Sequence, residues 1–145
     1  MKNVEQILKT KLHHQTVHTI GPDESVLEAL KKLAEKNIGA LPVVEDGKVV
    51  GIVSERDYAR KLVLKGRSSA ATPVREIMSA PVVTVELKQN LEYCMNLMTN
   101  RHLRHLPVVH NGELLGLLSI GDLVKETIAE QANLIQQLEQ YIRGE

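Results

Sequence analysis

One internal repeat constrains this chain more than any other feature. At an offset of 65 residues, Val17-His18-Thr19-Ile20 falls on Val82-Val83-Thr84-Val85, and Leu41-Pro42-Val43-Val44 falls on Leu106-Pro107-Val108-Val109. The same offset aligns Gly47 with Gly112, Gly51 with Gly116, Ser54 with Ser119 and Asp57 with Asp122, without a gap. The chain therefore encodes one supersecondary unit twice.

Each copy has the same order of signals. A β-branched stretch, Val17 to Ile20 or Val82 to Val85, reads as a strand. A helix follows with its apolar stripe at Val26, Leu30 and Leu33, or at Leu91, Cys94, Met95 and Met98. Ser25 with Glu28 fits a capping box at its start, and Asn90 can cap the second copy. Leu41 to Val44 and Val49 to Val53 form a hairpin through Asp46-Gly47, and Leu106 to Val109 and Leu114 to Leu118 another through Asn111-Gly112. A last helix begins near Ser54 or Ser119. The expectation is β-α-β-β-α in duplicate, an α/β (α+β) fold whose repeats are related by pseudo-two-fold symmetry.

The repeats occupy residues 16–65 and 81–130, with a polar linker at 66–80 that includes Gly66-Arg67-Ser68-Ser69 and Pro73. Val4, Ile7 and Leu8 predict a leading helix within 1–15. The helix starting near Asp122 is expected to continue through 131–145 as far as about Arg143. Val124, Ile128, Ile135, Leu138 and Ile142 lie on a near-heptad stripe, with Gln131 at one of its positions. That stripe fits a helix folded back on its own domain, or one paired with a second subunit.

The 145 residues are 43% hydrophobic and 25% charged, as in an ordinary globular protein. Lys+Arg and Asp+Glu both number 18, so no global charge draws the chain to nucleic acid or an anionic membrane. With three Tyr and no Phe or Trp, the core must be aliphatic, and stacking platforms for single strands are lacking. Cys94 is the only cysteine, which excludes an intramolecular disulfide. No apolar run approaches the ~20 residues of a membrane span, and Met1-Lys2-Asn3-Val4 opens no signal-peptide pattern. A cytoplasmic protein without a membrane partner is expected.

Ser54-x-x-Asp57 and Ser119-x-x-Asp122 each read in two ways. As a capping box, the Ser and the acid three residues on stabilise a helix start by ~1 kcal/mol with no ligand. As a binding element, the carboxylate offers two acceptor oxygens to the vicinal hydroxyls of a ribose, while Ser and the free N–H groups face phosphate. In the cluster Arg101-His102-Leu103-Arg104-His105, the first two residues fit cations beyond a helix end. Arg104 and His105 directly precede an apolar strand, where the first copy has Gly39 and Ala40. Arg60, Lys61, Lys65 and Arg67 form a basic run that suits a solvated face or a phosphate or subunit contact. Cys94, on an apolar stripe, reads as a core residue. His13-His14, His18, His102, His105 and His110 show no metal spacing, and no Gly-rich phosphate loop occurs. No catalytic or metal-binding residues are predicted.

The duplicated pattern, with Gly-(Ile/Leu)-(Val/Leu)-Ser-x-x-Asp closing each hairpin, resembles the CBS domain family, whose tandem pair is called a Bateman module. Ser54-Glu55-Arg56-Asp57-Tyr58-Ala59-Arg60-Lys61, and Arg104-His105-Leu106-Pro107 followed by Ser119-Ile120-Gly121-Asp122, are similar to stand-alone pairs of bacteria and plant mitochondria. The resemblance implies a homodimer of pairs, a regulated partner protein, and an adenosine ligand between the repeats: AMP first, or ATP, NAD(H) or S-adenosylmethionine. It implies a main site of Ser54, Arg56 and Asp57, with Pro81, Val82 and Val83 beside the base and Arg104 and His105 as cations for phosphate. A second, weaker site would have Val17, His18, Gly39, Ala40, Ser119, Gly121 and Asp122, with no cation at Gly39-Ala40. The alternatives are a ligand-free dimerisation module and an RNA-binding protein.

Overall fold

The computed structural model describes residues 1–12 and 17–144; His13 and His14 lie outside them. In chain order the helices and strands are α1 (Val4–Leu12), α2 (Val26–Lys36), β1 (Ala40–Glu45), β2 (Lys48–Ser54), α3 (Glu55–Asp57), α4 (Leu91–Arg101), β3 (His105–His110), β4 (Glu113–Ser119) and α5 (Ile120–Arg143). A π-helical stretch, Tyr58–Val63, continues α3, and a single 3₁₀ turn, Val74–Glu76, follows the linker. Two compact units result: residues 16–83 with 111–115, and residues 1–15 with 84–110 and 116–145. We call them the first-repeat and second-repeat units. Among the described residues, no helix is long and apolar enough to cross a membrane.

In the first-repeat unit, Ser25 caps α2 by accepting the Glu28 N–H at 3.1 Å. The reciprocal half of the expected capping box does not form. The Glu28 carboxylate instead meets Lys31 at 3.4 Å, and the Gly21 N–H is taken by Glu24 at 2.6 Å. Strands β1 and β2 pair antiparallel across Asp46-Gly47, both with positive φ (53° and 78°), as a two-residue hairpin of this twist requires. Asn111 and Gly112 repeat that geometry, at 52° and 77°, between β3 and β4.

The predicted strands Val17–Ile20 and Val82–Val85 shrink to one bridging residue each. Ile20 bridges Val43 and Val85 bridges Val108, both in parallel sense. Ile20 donates to the Pro42 carbonyl at 3.1 Å and accepts from Val44 at 2.9 Å. Extending that ladder toward Val17 would need a donor at residue 42, and toward Pro22 a donor at residue 22. Both are prolines without an N–H. Pro107 stops the second copy in the same way toward Val83.

The core of the first-repeat unit gathers Ile20, Val26, Ala29, Leu33, Leu41, Val43, Val53, Leu62, Val74 and Ile77. Shifted by 65, seven of these are the buried Val85, Leu91, Cys94, Met98, Leu106, Val108 and Leu118 of the second-repeat unit. Val74 and Ile77 have their counterparts at an offset of 70 instead, in the buried Val4 and Ile7 of α1. The backbone confirms this second register. Val74 and Arg75 donate to Glu24 and Pro22 (2.8 Å each), as Val4 and Glu5 donate to Gln89 and Leu87 (2.8 and 3.1 Å). Segment 74–79 completes the first unit as α1 completes the second.

The exposed stripe of α5 does not fold back. Leu123 and Glu126 are buried in the unit, whereas Ile128, Ile135 and Ile142 are 61, 56 and 81% exposed.

Candidate functional site

Ser54 ends β2 in extended backbone, accepts the Asp57 N–H on its hydroxyl at 3.2 Å, and donates its own backbone N–H to Asp57 Oδ2 at 3.0 Å. A complete capping box therefore holds Asp57, and the same box at Ser119 holds Asp122. The capping role is present in both copies, as the residue spacing allowed. The Glu55 N–H reaches the Gly39 carbonyl at 3.2 Å, and the Ile120 N–H reaches the Arg104 carbonyl at 2.8 Å. Residues 39 and 104 thus fix the start of the helix beside each acid.

Asp57 is only 7% exposed, a depth that demands partners for a carboxylate. Its Oδ2 also receives the Ser54 hydroxyl at 3.0 Å. Its Oδ1 faces the Ser79 hydroxyl at 3.0 Å and the Lys61 ammonium at 3.1 Å. Ser79 was not legible as a site residue; its signal is its place five residues after Val74 in the segment that repeats α1. Lys61 leaves the solvated basic run for this carboxylate, and Arg67 pairs with Glu76 at 2.6 Å. Arg56 and Pro81 are exposed, and Val82 and Val83 half-buried, in the same unit. Val17 and His18 are half-buried there, Ala40 is buried and Gly39 is exposed.

The second-repeat unit brings together Arg104, His105, Ser119, Gly121 and Asp122. Lys11 of α1 places its ammonium 2.6 Å from Asp122 Oδ2 and 2.6 Å from the Leu117 carbonyl. Burial alone would raise the Asp122 pKa, but the hydrogen bonds from Lys11 and Ser119 and the charge of Lys11 hold it below its ordinary value. His105 was expected to be a cation. Burial, the adjacent Lys11 charge and Arg104 push its pKa down, with Asp122 opposing, so at neutral pH it is a neutral imidazole. Exposed Arg104 keeps the positive charge.

Cys94 is buried, and burial pushes its thiol pKa up to about 11, which keeps it protonated. Among the described residues, no group of His, Cys, Asp and Glu could hold a metal. An open groove of about 810 Å³ in the second-repeat unit is lined by residues such as Lys2, Gln6, Leu91, Met95 and Leu134, none of them a site candidate.

The CBS domain family model matches residues 4–64 and again 74–129, the first range opening at Val4 of α1 and the second at Val74 of the completing segment. The mitochondrial CBS domain-containing protein CBSX3 of Arabidopsis thaliana is 39% identical over 127 residues, covering 84% of this chain and 62% of the relative. YhcV of Bacillus subtilis, also a CBS domain-containing protein, is 32% identical and is matched over 91% of this chain and 90% of its own length. A CBS-domain structure from Burkholderia ambifaria superposes with TM-score 0.84 at 53% identity, over 90% of this chain and 96% of that one. CBSX2, solved in complex with AMP, superposes with TM-score 0.70 at 29% identity, over 90 and 99%. The chain belongs to the CBS domain family and carries that domain twice in tandem.

Proposed function

We propose that this protein is a regulatory module that binds an adenine nucleotide and performs no chemistry of its own. AMP is the first candidate, with ATP, NAD(H) and S-adenosylmethionine sharing the adenosine group. The observation that carries the reading is Asp57: a nearly buried carboxylate, oriented by a capping box, whose Oδ1 is held by two donors a ligand can replace. A ribose diol presents two hydroxyl donors to such a group. The AMP bound to CBSX2, a structural neighbour over nearly its whole length, supports the choice of ligand.

In this reading Ser54, Arg56 and Asp57 hold ribose and phosphate, and Pro81, Val82 and Val83 lie along the base. Arg104 supplies positive charge to phosphate, and His105 a neutral hydrogen-bonding nitrogen. Val17, His18, Gly39, Ala40, Ser119, Gly121 and Asp122 form the weaker second set. Binding regulates a partner only if the nucleotide prefers one arrangement of the protein. The exposed stripe of α5 supports a homodimer as the functional form.

Isothermal titration with AMP, ATP, NADH and S-adenosylmethionine tests the reading. Saturable binding of at least one, weakened by both Asp57→Ala and Arg104→Ala, is expected. No binding of any of the four would favour the ligand-free dimerisation module, and equal binding by all three proteins would remove the assigned site.

A further inference from the structure

The two aspartates are equivalent by sequence, yet they are satisfied by different chemistry. In the first-repeat unit one residue, Ser79, donates two bonds. Its backbone N–H donates to the Ile52 carbonyl at 2.8 Å, and its hydroxyl donates to Asp57 at 3.0 Å. At the 65-residue offset, the acceptors Ile52 and Asp57 become Leu117 and Asp122. Both of those acceptors are taken by the single ammonium of Lys11, each at 2.6 Å. The cause lies in the completing segments. After its 3₁₀ turn, segment 74–79 becomes extended enough to bridge Ile52 through Ser79, whereas α1 stays helical through Leu12 and offers no backbone donor there. A long side chain makes the connection instead. At the position equivalent to Lys61 stands Glu126, which pairs with Lys2 at 3.0 Å.

We infer that Lys11 is a built-in occupant of the second carboxylate, and that it limits each chain to one adenine nucleotide. The inference rests on the proposed nucleotide binding. A ribose approaching Asp57 displaces a neutral hydroxyl and a lysine whose side chain is 44% exposed and can swing into water. A ribose approaching Asp122 meets a lysine whose side chain is 21% exposed and whose ammonium is already bonded to Oδ2, the oxygen that also accepts the Ser119 N–H, and to a backbone carbonyl. A charge-assisted bond is roughly twice as strong as a neutral one, and removing Lys11 leaves Leu117 without its donor. Lys11 is thus a specificity-determining residue: it sets stoichiometry, and it ties α1 to the second half of the repeat.

Equilibrium dialysis with radiolabelled AMP, on the full chain, reads the number of sites. Lys11→Met keeps the aliphatic stem that packs α1 while removing the charge, and circular dichroism verifies the fold. Lys11→Arg retains the cation as a control. One AMP per chain is expected for wild type and Lys11→Arg, and two for Lys11→Met. Adding Asp122→Ala to Lys11→Met should return the count to one, which a merely structural role of Lys11 would not produce. A folded Lys11→Met protein that still binds one AMP, or a wild type that already binds two, overturns the inference. In both of those cases the nucleotide reading itself survives, provided Asp57→Ala removes one site. No AMP on wild type or Lys11→Met overturns both.

Discussion

Gly51 is the point at which the fold and the Asp57 site are mechanically joined. It pairs with Val43 across the first hairpin. A Cβ at Gly51 would stand 2.7 Å from Met78 Sδ, 3.1 Å from Met78 Cγ and 3.0 Å from the Ser79 carbonyl oxygen. The Met78 side chain can turn away, but the Ser79 backbone is held by its paired bonds with Ile52 at 2.8 and 3.1 Å. Overpacking of this kind costs ~1–3 kcal/mol, and alanine recovers ~0.4–1 kcal/mol through a less flexible unfolded chain. Gly51→Ala should therefore lose about 1–2 kcal/mol. At Gly116 the added Cβ meets only the end of Leu8, with Cδ2 at 2.7 Å and the next atoms at 3.6 Å or more. Rotation of that leucine relieves the clash, so Gly116→Ala should lose less than about 1 kcal/mol. Urea unfolding followed by circular dichroism, at unchanged m-value, measures both. The corresponding fall in Tm for Gly51→Ala is about 2–8 °C. Because the displaced Ser79 hydroxyl serves Asp57, Gly51→Ala should also alter AMP affinity, and Gly116→Ala should leave it near wild type. A larger loss at Gly116 than at Gly51 would refute the reasoning.

Two further outcomes follow from the titrating groups. Cys94, protonated and buried, should resist a thiol reagent at pH 8 in the native protein and react at once in denaturant; fast labelling of native protein would contradict its core position. Acid should weaken the fold in two stages. Since the folded His105 pKa lies below the ordinary 6.5, only the unfolded chain takes up that proton as pH falls from 6.5, and stability declines there. The depressed Asp122 pKa means that its contribution, full above the ordinary 3.8, is lost as pH falls further through the folded value. Urea midpoints from pH 8 to 3 should fall in both ranges, and His105→Gln should flatten the upper one.

The sequence displayed the hairpins, the capping boxes and most of the core because these are local. Asp46-Gly47 and Asn111-Gly112 dictate their turns, and Ser-x-x-Asp forms its box within four residues. The completing segments were not legible. Val4-x-x-Ile7 and Val74-x-x-Ile77 repeat at an offset of 70, outside the register that aligns everything else. With that relation unseen, Ser79 and Lys11 had no reason to be placed beside the aspartates. Val17–Ile20 looked like a strand because β-branched composition reports burial and extension, whereas the ladder is decided by prolines at 22 and 42 on both sides of the pairing. His105 looked like a cation because its neighbours in sequence are basic; burial, which sequence does not display, makes it neutral.

The central claim is that Asp57 recognises a ribose by its two hydroxyls. Titration of AMP and its 2′,3′-dideoxy analogue into wild type and Asp57→Ala tests it most directly. Hydrogen bonds to a charged acceptor are worth ~1.5–3 kcal/mol, so AMP should bind wild type more tightly than the analogue by roughly tenfold or more. In Asp57→Ala the two ligands should bind alike. Equal affinity of both ligands for the wild-type protein would contradict the claim.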